Sequence, residues 1–375
     1  MWFFWLVACA VASPDPWSEG ELLIEQIDLP GSFIGESALV VGPDGTSVLI
    51  DVGNDSHIKE VLEAVDRHLP SREVDYVVLT HYHDDHIGGF DKLFNPHSRN
   101  DDEPLEVREK VVWRGSFDLG GANRNGVGEL CDWFAENPTK EAILCGGKYV
   151  SCELDQANAP WPADHCDGLL TDEGPFGFAL GDGATLEIFA ANAWTVGPER
   201  LEHQAVANNT DTGENARSTV GVITYGDFEY LFGGDLTGGR KGTPNIEAFV
   251  AEKSSWAGHP VPAHGVDVVQ LNHHGLITGT SAEWVDWLLP SGDSSRNAVV
   301  GSNWWYGSSP APEVRQLLEP RLGNGAIWIT RKGLLSAGKD PIAVARGPVV
   351  IRVGNRGQDY SISNDEEART FETDI

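Results

Sequence analysis

A mixed α/β sandwich is the fold class that this sequence predicts, and three observations carry the prediction. Short runs rich in β-branched residues recur along the chain. Glycine is abundant, at 43 of 375 residues, while methionine occurs once, a composition of many tight turns rather than of a helical bundle. Between residues 46 and 80 the order is strand, helix, strand, which implies a crossover within one sheet. The 41% of hydrophobic residues suits a globular core, and the length suits one large domain or two modest ones.

The elements follow in order. The apolar run Met1 to Ser13 is too short to span a bilayer and has the length of a signal-peptide core. Residues 1–20 are therefore expected to be a leader, and the protein to be exported as a periplasmic, extracellular or outer-membrane protein. Within the leader, Leu6-Val7-Ala8-Cys9 resembles a bacterial lipobox, in which Cys9 would be lipidated and attach the chain to a membrane. Ala10-Val11-Ala12 before Ser13 offers an ordinary signal-peptidase site instead.

A domain over 21–355 is expected next. Ser37–Val41 and Thr46–Asp51 read as a hairpin around the turn Gly42-Pro43-Asp44-Gly45. From Ser56 to His68 the residues Ile58, Val61, Leu62 and Val65 recur at helical spacing, with Asn54, Asp55 and Ser56 as cap candidates and Pro70 as the stop. A strand follows over Asp75–Thr80. Residues 95–181, rich in Gly, Asn, Asp and Pro, read as an elaborated loop insertion rather than core sheet. Strand patterns resume at Ala184–Ala190, Ser218–Tyr225, Phe228–Phe232 and Val266–Leu271. Helical patterns lie at Ser281–Leu289 and Ala311–Leu318, with further strands at Ala326–Thr330 and Pro348–Val353. Residues 356–375 read as a mobile acidic tail with little to bury.

Acidic residues outnumber basic ones 57 to 26, for a formal charge of −31, so long-range fields repel polyanions and tight non-specific DNA binding is not expected. No protein partner is indicated. Outside the leader, Cys131, Cys145, Cys152 and Cys166 cluster in the insertion. An oxidising compartment would let them form two disulfides, and no CxxC pair suggests a structural zinc.

The run Thr80-His-Tyr-His-Asp-Asp-His-Ile-Gly-Gly89 crowds imidazoles and carboxylates just past an apolar strand, an arrangement that is costly without cations. In extended backbone His81 and His83 point the same way and can share one metal. A turn at Asp84 lets Asp85 and His86 face a second ion beside it.

These residues resemble the HxHxDH motif of the metallo-β-lactamase superfamily, position for position. Leu49-Ile-Asp-Val-Gly53 resembles the strand that precedes the motif, and Leu231-Phe-Gly-Gly-Asp235 the strand that ends in a bridging aspartate. The resemblance implies a four-layer αββα sandwich. Within the superfamily the chain is similar to the hydrolase domain of ComEC-type DNA-uptake proteins and their free-standing relatives, through Glu214-Asn-Ala-Arg-Ser218, Leu271-Asn-His-His-Gly275, Thr278-Gly-Thr-Ser281, Ser302-Asn303 and Tyr306-Gly307. Ser309 stands where relatives often carry a histidine.

The resemblance implies two divalent ions, zinc first and manganese as the alternative. Asp235 would bridge them, His81 and His83 would hold one, and Asp85, His86 and His273 the other, with His274 orienting a ligand and Asp51 receiving a histidine N–H. Many relatives place a histidine some way before the bridging aspartate. Asn215 occupies that place here, with His203 as the alternative, and an amide oxygen is a poorer zinc ligand than imidazole. Asn303, Trp304, Trp305 and Tyr306 are candidate substrate contacts, since adjacent aromatics can stack on a base, sugar or choline-like group. His57, His68, His97, His165, His259 and His264 are expected at the surface.

The function this implies is hydrolysis of a small or short phosphodiester by a water activated between two ions. Asp85 and Asp235 are the residues whose loss should end turnover. Hydrolysis of a lactone, β-lactam or thioester is the alternative in the same chemistry, and a non-catalytic surface binding protein the alternative outside it.

Overall fold

The computed structural model describes residues 14–31, 35–95, 103–115, 123–145, 168–170, 174–196, 201–202, 211–254, 259–290, 295–301, 309–330, 343–345, 347–365 and 367–373. The chain begins with strands β1 (Leu22–Gln26), β2 (Ala38–Val41) and β3 (Ser47–Ile50), helix α1 (Ile58–His68) and strand β4 (Glu73–Val78). The short helices α2 (Asp84–Ile87) and α3 (Phe90–Phe94), strand β5 (Glu106–Gly115), helix α4 (Arg124–Glu136) and strand β6 (Glu141–Cys145) complete the first half.

The second half runs through β7 (Phe176–Gly181), β8 (Ala184–Ala191), β9 (Trp194–Thr195), β10 (Leu201–Glu202), α5 (Asp211–Asn215), β11 (Val220–Tyr225) and β12 (Phe228–Phe232). After these come α6 (Ile246–Lys253), β13 (Val268–Gln270), α7 (Ala282–Leu288), β14 (Asn297–Val300), α8 (Pro312–Leu318), β15 (Ile327–Ile329) and β16 (Ala343–Ala345). The chain closes with β17 (Val349–Gly354), β18 (Asp359–Ser363) and β19 (Ala368–Glu372).

Among the described residues one sheet has the order β19-β18-β17-β1-β2-β3-β4-β5-β6, and the other β10-β9-β8-β11-β12-β13-β14-β15-β16, with β7 on the far side of β8. The crossover β3-α1-β4 is parallel, as the strand, helix, strand order requires. Alternation along the strands sorts their side chains between two cores. Leu22, Ile24, Val40, Val48, Ile50 and Val112 join the core between the sheets. Leu23, Leu39, Val41, Leu49 and Val111 join the core under α1, α2, α3 and α4. Residues of α6, α7 and α8, among them Ile246, Trp284, Leu288 and Val314, pack with the second sheet. The result is the four-layer αββα sandwich of the metallo-β-lactamase fold. Among the described residues no helix is long and apolar enough to cross a membrane.

Several expectations need correction. Residues 95–181 contribute sheet as well as loop: β5 and β6 extend the first sheet in parallel, because Val107, Val111, Val112 and Trp113 form an apolar run that the surrounding Gly and Asp content obscures. The acidic tail is a hairpin. β18 pairs with β17 and β19 with β18, and Tyr360, Ile362 and Phe371 are buried behind the solvated charges. The expected caps of α1 form a turn before it, in which Ser56 donates to Asn54 Oδ1 from both N–H and hydroxyl, and His57 takes the cap position.

His57 and His68 are buried rather than exposed. His68 Nε2 lies 2.6 Å from the carboxylate of Glu25, itself buried in β1, and His57 Nδ1 accepts from the Asn54 N–H. His259 packs on the ring of Phe189, where burial pushes its imidazole down to about 4. Cys131 in α4 and Cys145 at the end of β6 are buried, and neither is a free thiol. Cys9, Cys152, Cys166, His97, His165, His203, Asn303, Trp304, Trp305 and Tyr306 lie outside the described residues.

Candidate metal centre

The ends of β3, β4, β12 and β13 meet at one mouth of the sandwich, so that both sheets supply side chains. Past β4 the backbone stays extended to His83, whose ψ of 154° precedes α2. Two residues apart on such a backbone, His81 and His83 face the same way, with His81 Nε2 3.1 Å from His83 Nδ1. Tyr82, between them, points into the protein. Its N–H donates to Glu214 Oε1, its hydroxyl accepts from Gly115 N, and the Arg114 guanidinium lies 4.0 Å from its ring centre. Arg114 and Glu214 form a fully buried ion pair at 2.7 Å. That pair fixes the backbone from which the two imidazoles project.

Asp235 follows Gly233 and Gly234 at the end of β12. Gly234 has φ 51°, and a Cβ there would lie 2.6 Å from Thr80 Oγ1, so only glycine lets the two sheets' loops approach this closely. The Asp235 carboxylate is buried and divides its oxygens. Oδ1 faces His86 Nε2 at 3.3 Å and His274 Nε2 at 3.7 Å; Oδ2 faces His81 Nε2 at 3.8 Å and His273 Nε2 at 3.6 Å. Asp85 Oδ2 lies 3.2 Å from His274 Nε2 and 4.0 Å from His86 Nε2.

These spacings suit metal binding. Four donors about 2.0–2.2 Å from a tetrahedral ion stand about 3.3–3.6 Å apart. Glu36, His86, Asp235 and His274 form one group that could hold an ion, and His81, His83 and Asp235 another. Glu36 Oε2, His86 Nε2, Asn215 Oδ1 and Asp235 Oδ1 are buried with no hydrogen-bond partner among the described residues. Burial without a partner is costly, and cations held at His86 Nε2 and Asp235 Oδ1 would remove that cost for these two atoms. The donor set therefore fits divalent ions.

The charges press the same way. Burial and the neighbouring His86 hold the His81 imidazole well below its ordinary value. Burial opposes a charge on Asp235, yet His273, His274 and His86 outweigh it and keep this carboxyl well below the usual range. Behind the site Asp51, at φ 56° after β3, accepts from His86 Nδ1 at 2.7 Å and from the Thr80 N–H and hydroxyl at 2.7 and 2.6 Å.

Two placements differ from expectation. His274, rather than His273, sits beside Asp85 and His86, while His273 turns toward Asp235 Oδ2 and the Asn215 amide, whose Nδ2 is 3.1 Å from His273 Nε2. The cause is backbone: both residues are left-handed, at φ 52° and 53°, so the chain rotates sharply between them and the rings diverge. Ser309 donates its hydroxyl to the His274 carbonyl.

Glu36 was not anticipated. Its Oε2 lies 3.3 Å from His274 Nδ1, its Oε1 accepts from Gln270, and its N–H donates to the Asp85 carbonyl. Burial pushes its carboxyl up to about 8 against the pull of His274 and His86. The only sequence signal was a single carboxylate between Gly35 and an apolar strand.

Residues 31–99, which include Glu36, Asp51 and the histidine cluster, match the Metallo-beta-lactamase superfamily. No curated protein matches the chain. Among solved structures the chain is similar to a metallo-beta-lactamase HARLDQ motif mutant from Cronobacter sakazakii, at 16% identity over 64% of this chain and 72% of that one, with a TM-score of 0.31. It is also similar to a protein of unknown function from Enterococcus faecalis, at 11% identity over 87% of this chain and 73% of that one, again with a TM-score of 0.31. The match to the metallo-β-lactamase superfamily covers residues 31–99, and these lie within a sandwich of the metallo-β-lactamase fold.

Proposed function

We propose that the protein is an exported metal-dependent hydrolase acting on small or short phosphodiesters, with two divalent ions side by side. The observation that carries this reading is the Asp235 carboxylate, buried between two groups of imidazoles with one oxygen turned to each. Two neighbouring cations repel strongly, and a carboxylate between them offsets that repulsion. His81 and His83 would hold one ion with Asp235 Oδ2; Asp85, His86 and His274 would hold the other with Asp235 Oδ1. When bound, a pair of divalent ions lowers the pKa of water toward neutrality and neutralises charge developing on oxygen.

The chain's own residues do the rest. Asp51 fixes the tautomer and tilt of His86, and the Gly301 carbonyl does the same for His274. Asp85, a quarter exposed, is the most open of the carboxylates around the site and would take up the proton that the attacking water releases. The likeness of the Asn215, His273-His274 and Asn303 segments to ComEC-type hydrolase domains favours phosphorus over an acyl carbon. The apolar leader supports export, with or without lipid at Cys9.

The test is turnover by the full chain, reconstituted with zinc or with manganese, of bis-p-nitrophenyl phosphate beside nitrocefin and an acyl-homoserine lactone. Metal-dependent release of nitrophenol, lost with Asp235→Asn while about two ions per chain are bound by the wild type, supports the proposal. Faster turnover of the lactam or lactone moves the substrate class to acyl compounds. Metal without any turnover makes the fold a binding module.

A further inference from the structure

We propose that the His273-His274 doublet is divided between the two ions, with His273 as the third imidazole on the ion of His81 and His83, the place where Asn215 stands in the sequence pattern. The inference rests on the two-ion reading above and deepens it. Three histidines around Asp235 share one arrangement, in which Nδ1 is held by the protein and Nε2 is turned to the carboxylate. His86 Nδ1 is held by Asp51, and its Nε2 faces Asp235 Oδ1. His274 Nδ1 lies 3.2 Å from the Gly301 carbonyl, and its Nε2 faces the same oxygen. His273 Nδ1 lies 2.6 Å from Thr278 Oγ1, and its Nε2 faces the opposite oxygen, Oδ2, at 3.6 Å, on the side of His81. A ring nitrogen fixed by a hydrogen bond while the other is left to a cation is the arrangement of a metal-binding histidine.

The backbone is built for this division. Consecutive left-handed residues without glycine are unfavourable and persist only where the surroundings impose them. Here the Glu247 carboxylate, buried at the start of α6, accepts from Asn272 Nδ2 and from the Thr280 and Ser281 N–H groups, and the His273 N–H donates to the Gly234 carbonyl. The loop from Asn272 to Ser281 is thereby clamped on both sides of the doublet. The two rings stand 6.4 Å apart and are inclined by 55°, so they flank Asp235 rather than stack. Asn215 Nδ2 stands 3.1 Å from the same His273 Nε2, so the amide must give up that contact when the ring takes an ion. A neutral amide is the weaker donor for zinc, so an imidazole in that place makes the first site a zinc site rather than one suited to a harder ion.

The experiment counts zinc ions per chain, with chelator competition, in the full-length protein and in single and double variants whose folding is followed by thermal unfolding. The expected result is two ions in the wild type and in Asn215→Ala, one in His273→Ala, one in the His83→Ala/His273→Ala double variant and none in His86→Ala/His273→Ala. If His273→Ala does not fold, Thr278→Ala serves instead and should weaken one ion about 10–100-fold while sparing the other. Two ions in His273→Ala, or undisturbed affinities in Thr278→Ala, would overturn the proposal. So would the reverse pattern in the double variants, with one ion kept in His86→Ala/His273→Ala and none in His83→Ala/His273→Ala. Fewer than two ions in the wild type would instead sink the two-ion reading itself, and this inference with it.

Discussion

The carboxylate of Asp51 accepts from three donors at once, the Thr80 N–H, the Thr80 hydroxyl and His86 Nδ1, and it touches no position where substrate could sit. Its work is to keep His86 Nε2 aimed at Asp235. Replacing it by asparagine leaves the volume unchanged but removes the charge and offers one acceptor oxygen where two are used. Asp51→Asn should therefore weaken binding of the ion at His86 by about 10–100-fold with little change in melting temperature, as measured by chelator competition. An unchanged affinity would reduce Asp51 to a turn residue. At this scale the sequence was most legible where the chemistry is local. His81, His83, Asp85 and His86 could be read together because an extended strand followed by one helical turn already aims them. Glu36 and the division of His273 from His274 could not. The first reaches the site only because two sheets meet, and the second depends on two left-handed residues held by a clamp more than twenty residues upstream.

The elements around the site are tied together by charges that have left water. Glu214 in α5 and Arg114 in β5 are both fully buried, and Glu214 also holds the backbone of Tyr82. Burial raises the Glu214 carboxyl, but Arg114, with His83 and Arg217, outweighs it and holds the group below its ordinary 4.5. A carboxyl lowered on folding stabilises the protein above its unfolded value and loses that contribution as the pH falls through the folded one. Glu214→Gln leaves Arg114 buried without its counter-charge, so it should destabilise the protein by about 3–5 kcal/mol at neutral pH. The gap from wild type should narrow below pH ~4.5. Urea unfolding at several pH values checks both, and a constant gap would mean that the carboxylate charge is not what matters. The segments carrying these residues were unequally visible. α1, β8 and β12 have clean periodicity and were read nearly to their ends. β5 and β6 lie in a glycine- and aspartate-rich stretch, and β18 and β19 in an acidic one, so composition hid strands whose inward faces are as apolar as any other.

The whole molecule carries a formal charge of −31, and that charge bears on what can reach the site. A cluster of divalent ions at one mouth of the sandwich would be a local positive spot on a repelling body. A single phosphodiester feels mostly the spot; a long duplex, many charges spread over tens of ångströms, feels the body as well. Salt screens the long-range part first, since the Debye length is about 10 Å at 0.1 M. Cleavage of a long polyanion should accordingly speed up as salt is added, by several-fold in kcat/KM between about 20 and 200 mM, while turnover of bis-p-nitrophenyl phosphate stays nearly level. A basic nucleic-acid enzyme behaves oppositely, losing about 10³–10⁵ in affinity over a comparable rise through release of counterions. The sign of the salt slope on long duplex therefore reports which field the substrate meets. A steep fall would mean that a basic groove overrides the net charge, and it would return long nucleic acid to the proposed substrates; a rise would favour short or small phosphodiesters among them.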